Sequence, residues 1–150
     1  MEKESDIIKN AISIGLIISN EDFKNSPIFP DEIKEEVNDA SYYLLIYIAR
    51  KNGIKINCFP ANTNDIKKIL IKLKEFTPEI VKGISYVLRE MDLGKKILHT
   101  TGLCYEMENC FYETYLTGDS LAPIDNIKQK FMEITNVVNV QIADVPIIKK

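Results

Sequence analysis

The only imidazole in the chain, His99, stands five residues before Cys104, and Glu106 follows two residues later. A thiol within hydrogen-bond reach of an imidazole is pushed toward thiolate and becomes a nucleophile. Adjoining strands over residues 96–107 would allow that contact. The plainer reading is a packed, inert thiol and a surface histidine, because free Cys is among the most buried residue types. His99 with Cys58, Cys104 and Cys110 matches a tetrahedral zinc site in number only, since the short spacings of zinc modules are missing. Glu32, Glu35, Glu36 and Asp39 offer oxygen ligands to a hard cation, but they lack a glycine turn and read as a solvated helix face. No metal or cofactor is therefore expected. Phosphate-cradling GxxxxGK[ST] and GxGxxG loops are absent, one histidine forbids HExxH, and Gly83-Ile84-Ser85-Tyr86-Val87 lacks the last glycine of a GxSxG elbow.

A third constellation is aromatic and acidic. Tyr105, Glu106, Glu108, Phe111, Tyr112, Glu113 and Tyr115 are followed by Asp119. Tyrosines supply contact area at low entropic cost, and neighbouring carboxylates complement a cationic partner and speed its association. Tyr105, Glu106, Glu108, Tyr112, Glu113, Tyr115 and Asp119 are the candidate partner-binding residues. The competing arrangement is a half-buried hairpin with its tyrosines inside and its glutamates in water.

The charge is uneven. Net charge is −3, from 19 Lys+Arg and 22 Asp+Glu, which opposes a dedicated nucleic-acid binder. Glu21 to Asp39 holds seven acids and two bases, Arg50 to Lys74 seven bases and one acid, and Ile97 to Ile127 five acids without Lys or Arg. Such blocks create patches of both signs that steer partners. Lys67, Lys68, Lys72 and Lys74 form a basic face suited to phosphates, but no aromatic platform accompanies it. Three cysteines without a CxxC pair do not read as a disulfide framework, and they fit buried thiols in a reducing compartment. The acidic start of the chain is unlike a signal peptide, and the longest apolar run, Tyr42 to Ala49, is well short of the roughly 20 residues of a membrane span. A cytoplasmic protein is expected.

Five helices are read from periodicity. Ser5 caps one that carries Ile7, Ile8, Ala11, Ile12 and Ile18. Ser19 to Pro30 is a loop. A central helix runs from Asp31 to Asn52, apolar all round in its second half and closed by Gly53. A third spans about Asn64 to Phe76, with Ile71 among its lysines, and Thr77-Pro78 starts a fourth that carries Ile80 to Met91 and ends near Gly94. Ile54 to Phe59 is a short strand ended by Pro60. Leu103 to Leu116 favours a hairpin turning at Glu108-Asn109, although Leu103, Met107, Cys110 and Thr114 also share a helical face. Lys96 to Thr100 supplies a further strand. Pro123 opens the last helix, with Ile124, Ile127, Phe131 and Ile134, and Val137 to Ile142 is a final strand.

The expected fold is one α+β domain over residues 1–150: an N-terminal bundle of about four helices, then a small C-terminal antiparallel sheet and one further helix, with all-α as the alternative. The expected function is a small acidic cytoplasmic binding module, an immunity- or antitoxin-type inhibitor that occludes the active site of a basic toxin domain such as a nuclease. Neither membrane nor nucleic acid is expected as a partner. The alternatives are an acidic secretion chaperone, a small cysteine-dependent enzyme using Cys104 and His99, and a nucleic-acid-associated regulator using the lysine face.

Overall fold

Strand-forming residues dominate where helical spacing was read. The computed structural model describes residues 12–106, 109–119 and 121–148. Their strands are β1 (Ile14–Ser19), β2 (Tyr42–Arg50), β3 (Gly53–Ala61), β4 (Ile66–Leu73), β5 (Ile97–Glu106), β6 (Asn109–Thr117) and β7 (Val137–Asp144). The helices are α1 (Asn20–Asn25), α2 (Asp31–Glu36), α3 (Pro78–Glu90) and α4 (Ile124–Met132), with a single 3-10 turn at Gly94–Lys96. The expected N-terminal helical bundle, and the all-α alternative, are thus overturned by two antiparallel sheets, of order β1-β2-β3 and β5-β6-β4-β7. The helix capped by Ser5 falls largely outside the described residues, and Ile18, its expected last apolar position, lies in β1.

The two central "helices" fail for one physical reason. Tyr42–Arg50 and Ile66–Leu73 are strands with both faces largely covered; the first is apolar without a break as far as Ala49, the second carries lysines on both faces (Lys67 on one, Lys68 and Lys72 on the other), so neither shows the polar alternation that separates strand from helix. Branched and aromatic side chains favour the strand. Ile71, which the helical spacing leaves among lysines, is 0% exposed. Gly53 opens β3 instead of capping a helix, and Pro60 lies within β3, where the sheet edge tolerates a residue without an N–H. The stretch read as the loop Ser19 to Pro30 contains α1, whose N-terminus is capped by the Ser19 hydroxyl accepting from the Asp22 amide.

Chain contacts divide the molecule into two compact units, residues 65–144 with Ile12, and residues 13–64 with 145–148. In the second unit Phe23 of α1 stacks on Tyr43 at 3.9 Å between centroids, and Ile18, Phe23, Tyr43 and Leu45 form its core. Ile147 adds a parallel bridge to Ile17.

The first unit runs β4-α3-β5-β6-α4-β7, the split βαβ or ferredoxin-like order. Here the sequence reading of α3, α4, β7 and the β5–β6 hairpin holds, except that the further strand expected at Lys96 to Thr100 is the start of β5 itself and Asn109, read as part of the turn, opens β6, while Glu108 lies outside the described residues. Thr77 caps α3 by accepting from the Ile80 amide, with Pro78 in the first helical turn. The helix ends before Gly94, because Asp92 takes the left-handed conformation (φ 56°) and the Leu93 amide bonds back to the Leu88 carbonyl at 2.7 Å. Ile80, Ile84, Val87 and Leu88 of α3 join Ile127 and Phe131 of α4 over Ile69, Ile71, Leu73 and Val140 of the sheet. Gly102 of β5 lets Phe76 lie against the strand, since a Cβ there would come within 2.6 Å of the ring.

On the other sheet face Lys68 and Glu113 are 4% and 0% exposed, with Nζ–Oε2 3.2 Å. The same oxygen accepts from the Ile12 amide at 2.7 Å. Burial holds the Lys68 ammonium below its ordinary range, against the pull of Glu113. Removing one partner of such a pair strands the other charge. Glu113→Ala should therefore cost about 3–5 kcal/mol in denaturant unfolding, and Lys68→Met/Glu113→Gln should recover a large part of that loss. Equal losses in the single and double variants would contradict the pairing.

Candidate functional site

The tyrosine-and-glutamate stretch does not form one surface. It lies on β5, β6 and the segment that follows, and strand alternation sends successive side chains to opposite faces. Glu113 is enclosed as described, and Tyr115 is 0% exposed, with the Lys68 ammonium 5.4 Å from its ring centroid. Tyr112 points to the helical side, where Phe76 lies 6.5 Å away, and burial raises its hydroxyl pKa. Tyr105 is 46% exposed and meets Phe111 edge-on at 6.0 Å. Asp119 is exposed, and its carbonyl accepts from Lys96 at 2.7 Å. Glu106 ends β5, and Glu108 lies outside the described residues. Two central members of the expected face, Glu113 and Tyr115, are therefore interior groups, and only Tyr105 and Asp119 are seen to be exposed.

The thiol centre is not assembled either. Cys104 and Cys110 face one another across the β5–β6 ladder and are joined by a disulfide, so the cysteines are not all free thiols as expected. His99 pairs with Tyr115 on the other face of the hairpin from Cys104, as strand parity requires. Among the described residues no cluster of His, Cys, Asp and Glu is arranged to hold a metal ion. Cys58 is free, and burial pushes its thiol up to about 11. The lysine face is also dispersed. Lys68 is buried, Lys67 is ion-paired with Asp65 and Asp144, and only Lys72 and Lys74 are exposed. Asp39 of the acidic quartet pairs with Lys24 at 3.4 Å and accepts from Asn20 at 2.9 Å, and these bonds hold its carboxyl below the usual range.

A concave site lies elsewhere, on the helical layer of the first unit. A cleft of about 560 Å³ opens between α3 and the segment from Lys130 to Asn136. Its floor is Ile80, Val87 and Ile134. Gly83 makes that floor possible, because Ile134 approaches to within 3.2 Å of where a Cβ would stand. Glu75, Glu79, Glu90 and Glu133 stand around it against Lys130 alone, a formal charge of −3. Tyr86 stands at the lip, 61% exposed. Its hydroxyl bonds to Glu90, and Lys130 reaches the same carboxylate at 3.1 Å. Tyr86 and then Lys130 hold the Glu90 carboxyl below its usual range, while the bond to Glu90 raises both Tyr86 and Lys130. Asn136 donates to Glu75 at 3.2 Å and so ties down that rim.

The sequence contained half of this signal. Glu79, Gly83, Tyr86 and Glu90 recur at helical spacing on the polar stripe of α3, one face of one turn after another. The other half comes from α4 and the turn after it, which only tertiary packing brings alongside.

No protein-family model matches the chain, and no curated protein is similar to it. Among solved structures, an uncharacterized protein from Thermotoga maritima is similar with a TM-score of 0.40 and 17% identity, over 53% of this chain and 94% of that one. No helix among the described residues is long and apolar enough to cross a membrane.

The thiols yield a direct test. Denatured, unreduced protein should titrate as one thiol per chain, from Cys58, and as three after reduction. The folded-state pKa of Cys58 is raised above that of the unfolded chain. Its contribution to stability is therefore whole below about pH 9 and is lost as pH rises through about 11. Iodoacetamide should alkylate native Cys58 far more slowly at pH 8.5 than the unfolded chain. Equal rates would refute its protected state.

Proposed function

We propose that this chain is a binding module that acts by occlusion rather than by bond-breaking: an immunity- or antitoxin-type inhibitor of a basic protein. Its contact surface is the acidic cleft on the helical layer, not the stretch from Tyr105 to Asp119. The observation that supports this is the set of four carboxylates around an open, apolar-floored cleft with an exposed tyrosine at its rim. Carboxylates attract lysine or arginine side chains and speed encounter, and the isoleucine and valine floor accepts their aliphatic stems. Tyrosine fits the compositional pattern of binding hot spots. The cytoplasm is the compartment this reading implies. The Cys104–Cys110 bond is of a kind that cytosolic thiol systems reduce, so partner binding should persist in reductant. An acidic secretion chaperone would use the same chemistry, and loss of the partner's enzymatic activity on binding separates the inhibitor from it.

An arginine-rich peptide labelled for fluorescence anisotropy tests the surface. Binding should weaken as salt rises. Glu79→Lys/Glu133→Lys should weaken it by roughly tenfold or more at low salt, as two exposed ion pairs of up to ~1 kcal/mol each imply. Glu21→Lys/Asp125→Lys makes the same change in net charge at residues that do not line the cleft and should have little effect. Equal weakening by both variants would reduce the effect to net charge and defeat the assignment of the cleft.

A further inference from the structure

In the unit formed by residues 13–64 with 145–148, the β2–β3 ladder extends to Arg50↔Gly53, but β1 joins β2 only from Ile14↔Tyr47. Ile48–Arg50 and Gly53–Lys55 therefore project as a two-stranded arm. Two-stranded ribbons are marginal in water on their own. Pairing places Ile14, Tyr47 and Ile56 in one row across the sheet, with Ala49 and Ile54 in the next row outward on the same face. Ile14, Ile56 and Ile54 are 38%, 39% and 71% exposed, so this face is apolar and uncovered toward its tip. Lys51 in the turn, with Arg50 and Lys55 on the opposite face of the same ribbon, are all exposed and make the arm basic.

The same unit carries the complement. α2 has no buried residue. Six residues are too few for a helix to persist on propensity alone, so helices of this length depend on what packs against them. Ile33 is 53% exposed on α2, and Ile28, just before it, is 61% exposed. Asp31, Glu32, Glu35 and Glu36 surround Ile33 with negative charge, offset by Lys34, which is paired with Asp31. Basic arm and acidic helix each present exposed isoleucine. Their exposure shows that they do not cover one another within one copy. Along β2 the tip lies roughly 27 Å from Tyr42, the strand end that follows α2 in the chain.

We propose that the occupant of each surface is a second copy of this chain, with the β2–β3 arm of one copy seated on α2 of the other. A two-fold axis lets both arm–helix contacts form at once, which closes the assembly as a dimer. Charge complementarity sets the register, and the isoleucines supply the buried area.

Sedimentation velocity on the full chain, across concentration and salt, tests this. The wild type should dimerise at low salt and dissociate as salt rises. Lys51→Glu/Lys55→Glu should raise the dimer Kd by at least about tenfold, and Glu32→Lys/Glu35→Lys should do the same. The variant that combines all four substitutions restores opposite charges across the interface and should dimerise again, with circular dichroism confirming that each variant is folded. A wild type that stays monomeric throughout, a dimer that survives either reversal, or a combined variant that fails to reassociate would each overturn the proposal. Survival of both reversals would point instead to edge-to-edge pairing of β3.

Discussion

A carboxylate sealed in a sheet interior must have cationic or hydrogen-bonding company, and Glu113 sets much of the rest of this molecule through that requirement. Lys68 and Glu113 are diagonal neighbours on adjacent strands, since Lys68 stands opposite Tyr115 and Leu70 opposite Glu113. A one-residue slip between β4 and β6 would turn Glu113 toward the helical layer and part it from the buried Lys68. The ion pair thus fixes the register of the two central strands. With it Tyr115 goes to the same interior face, and Tyr112 goes to the other side beneath Phe76.

That register explains why the acidic, tyrosine-bearing stretch offers so little to a partner. Its composition suits an interface, but alternation along β6 spends its central residues on the interior. The same chemical combination reappears on α3, where a helix keeps Glu79, Tyr86 and Glu90 on one outward stripe. A period of about 3.6 can hold several like residues on one surface over a short stretch, whereas a period of 2 divides them.

The parts of the fold legible in the sequence are those with one wet face or an explicit terminus. Thr77-Pro78 marks the start of α3, and Ile80, Ile84, Val87 and Leu88 mark its buried stripe. Ile127 and Phe131 do the same for α4. The run from Tyr42 to Ala49 and the Ile66–Leu73 strand were illegible, because strands covered on both sides lose the alternation that identifies them and their apolar positions coincide with helical spacing. The cross-strand disulfide was hidden because its two cysteines become neighbours only once the hairpin and its register exist. The cleft was half legible, since its α3 rim is local and its other wall is not.

The outer edge of β1 is completed late. Ile17 donates to the Pro146 carbonyl at 2.9 Å and accepts from the Ile148 amide at 2.8 Å, so the segment that borders the first strand is synthesised only after residues 65–144. During translation residues 65–144 can complete their sheet while β1 still has a bare flank. A nascent chain in that state exposes backbone donors and acceptors that neighbouring nascent chains could capture. Ribosome-associated chaperones would act most usefully in the interval between the emergence of β1 and the arrival of Pro146.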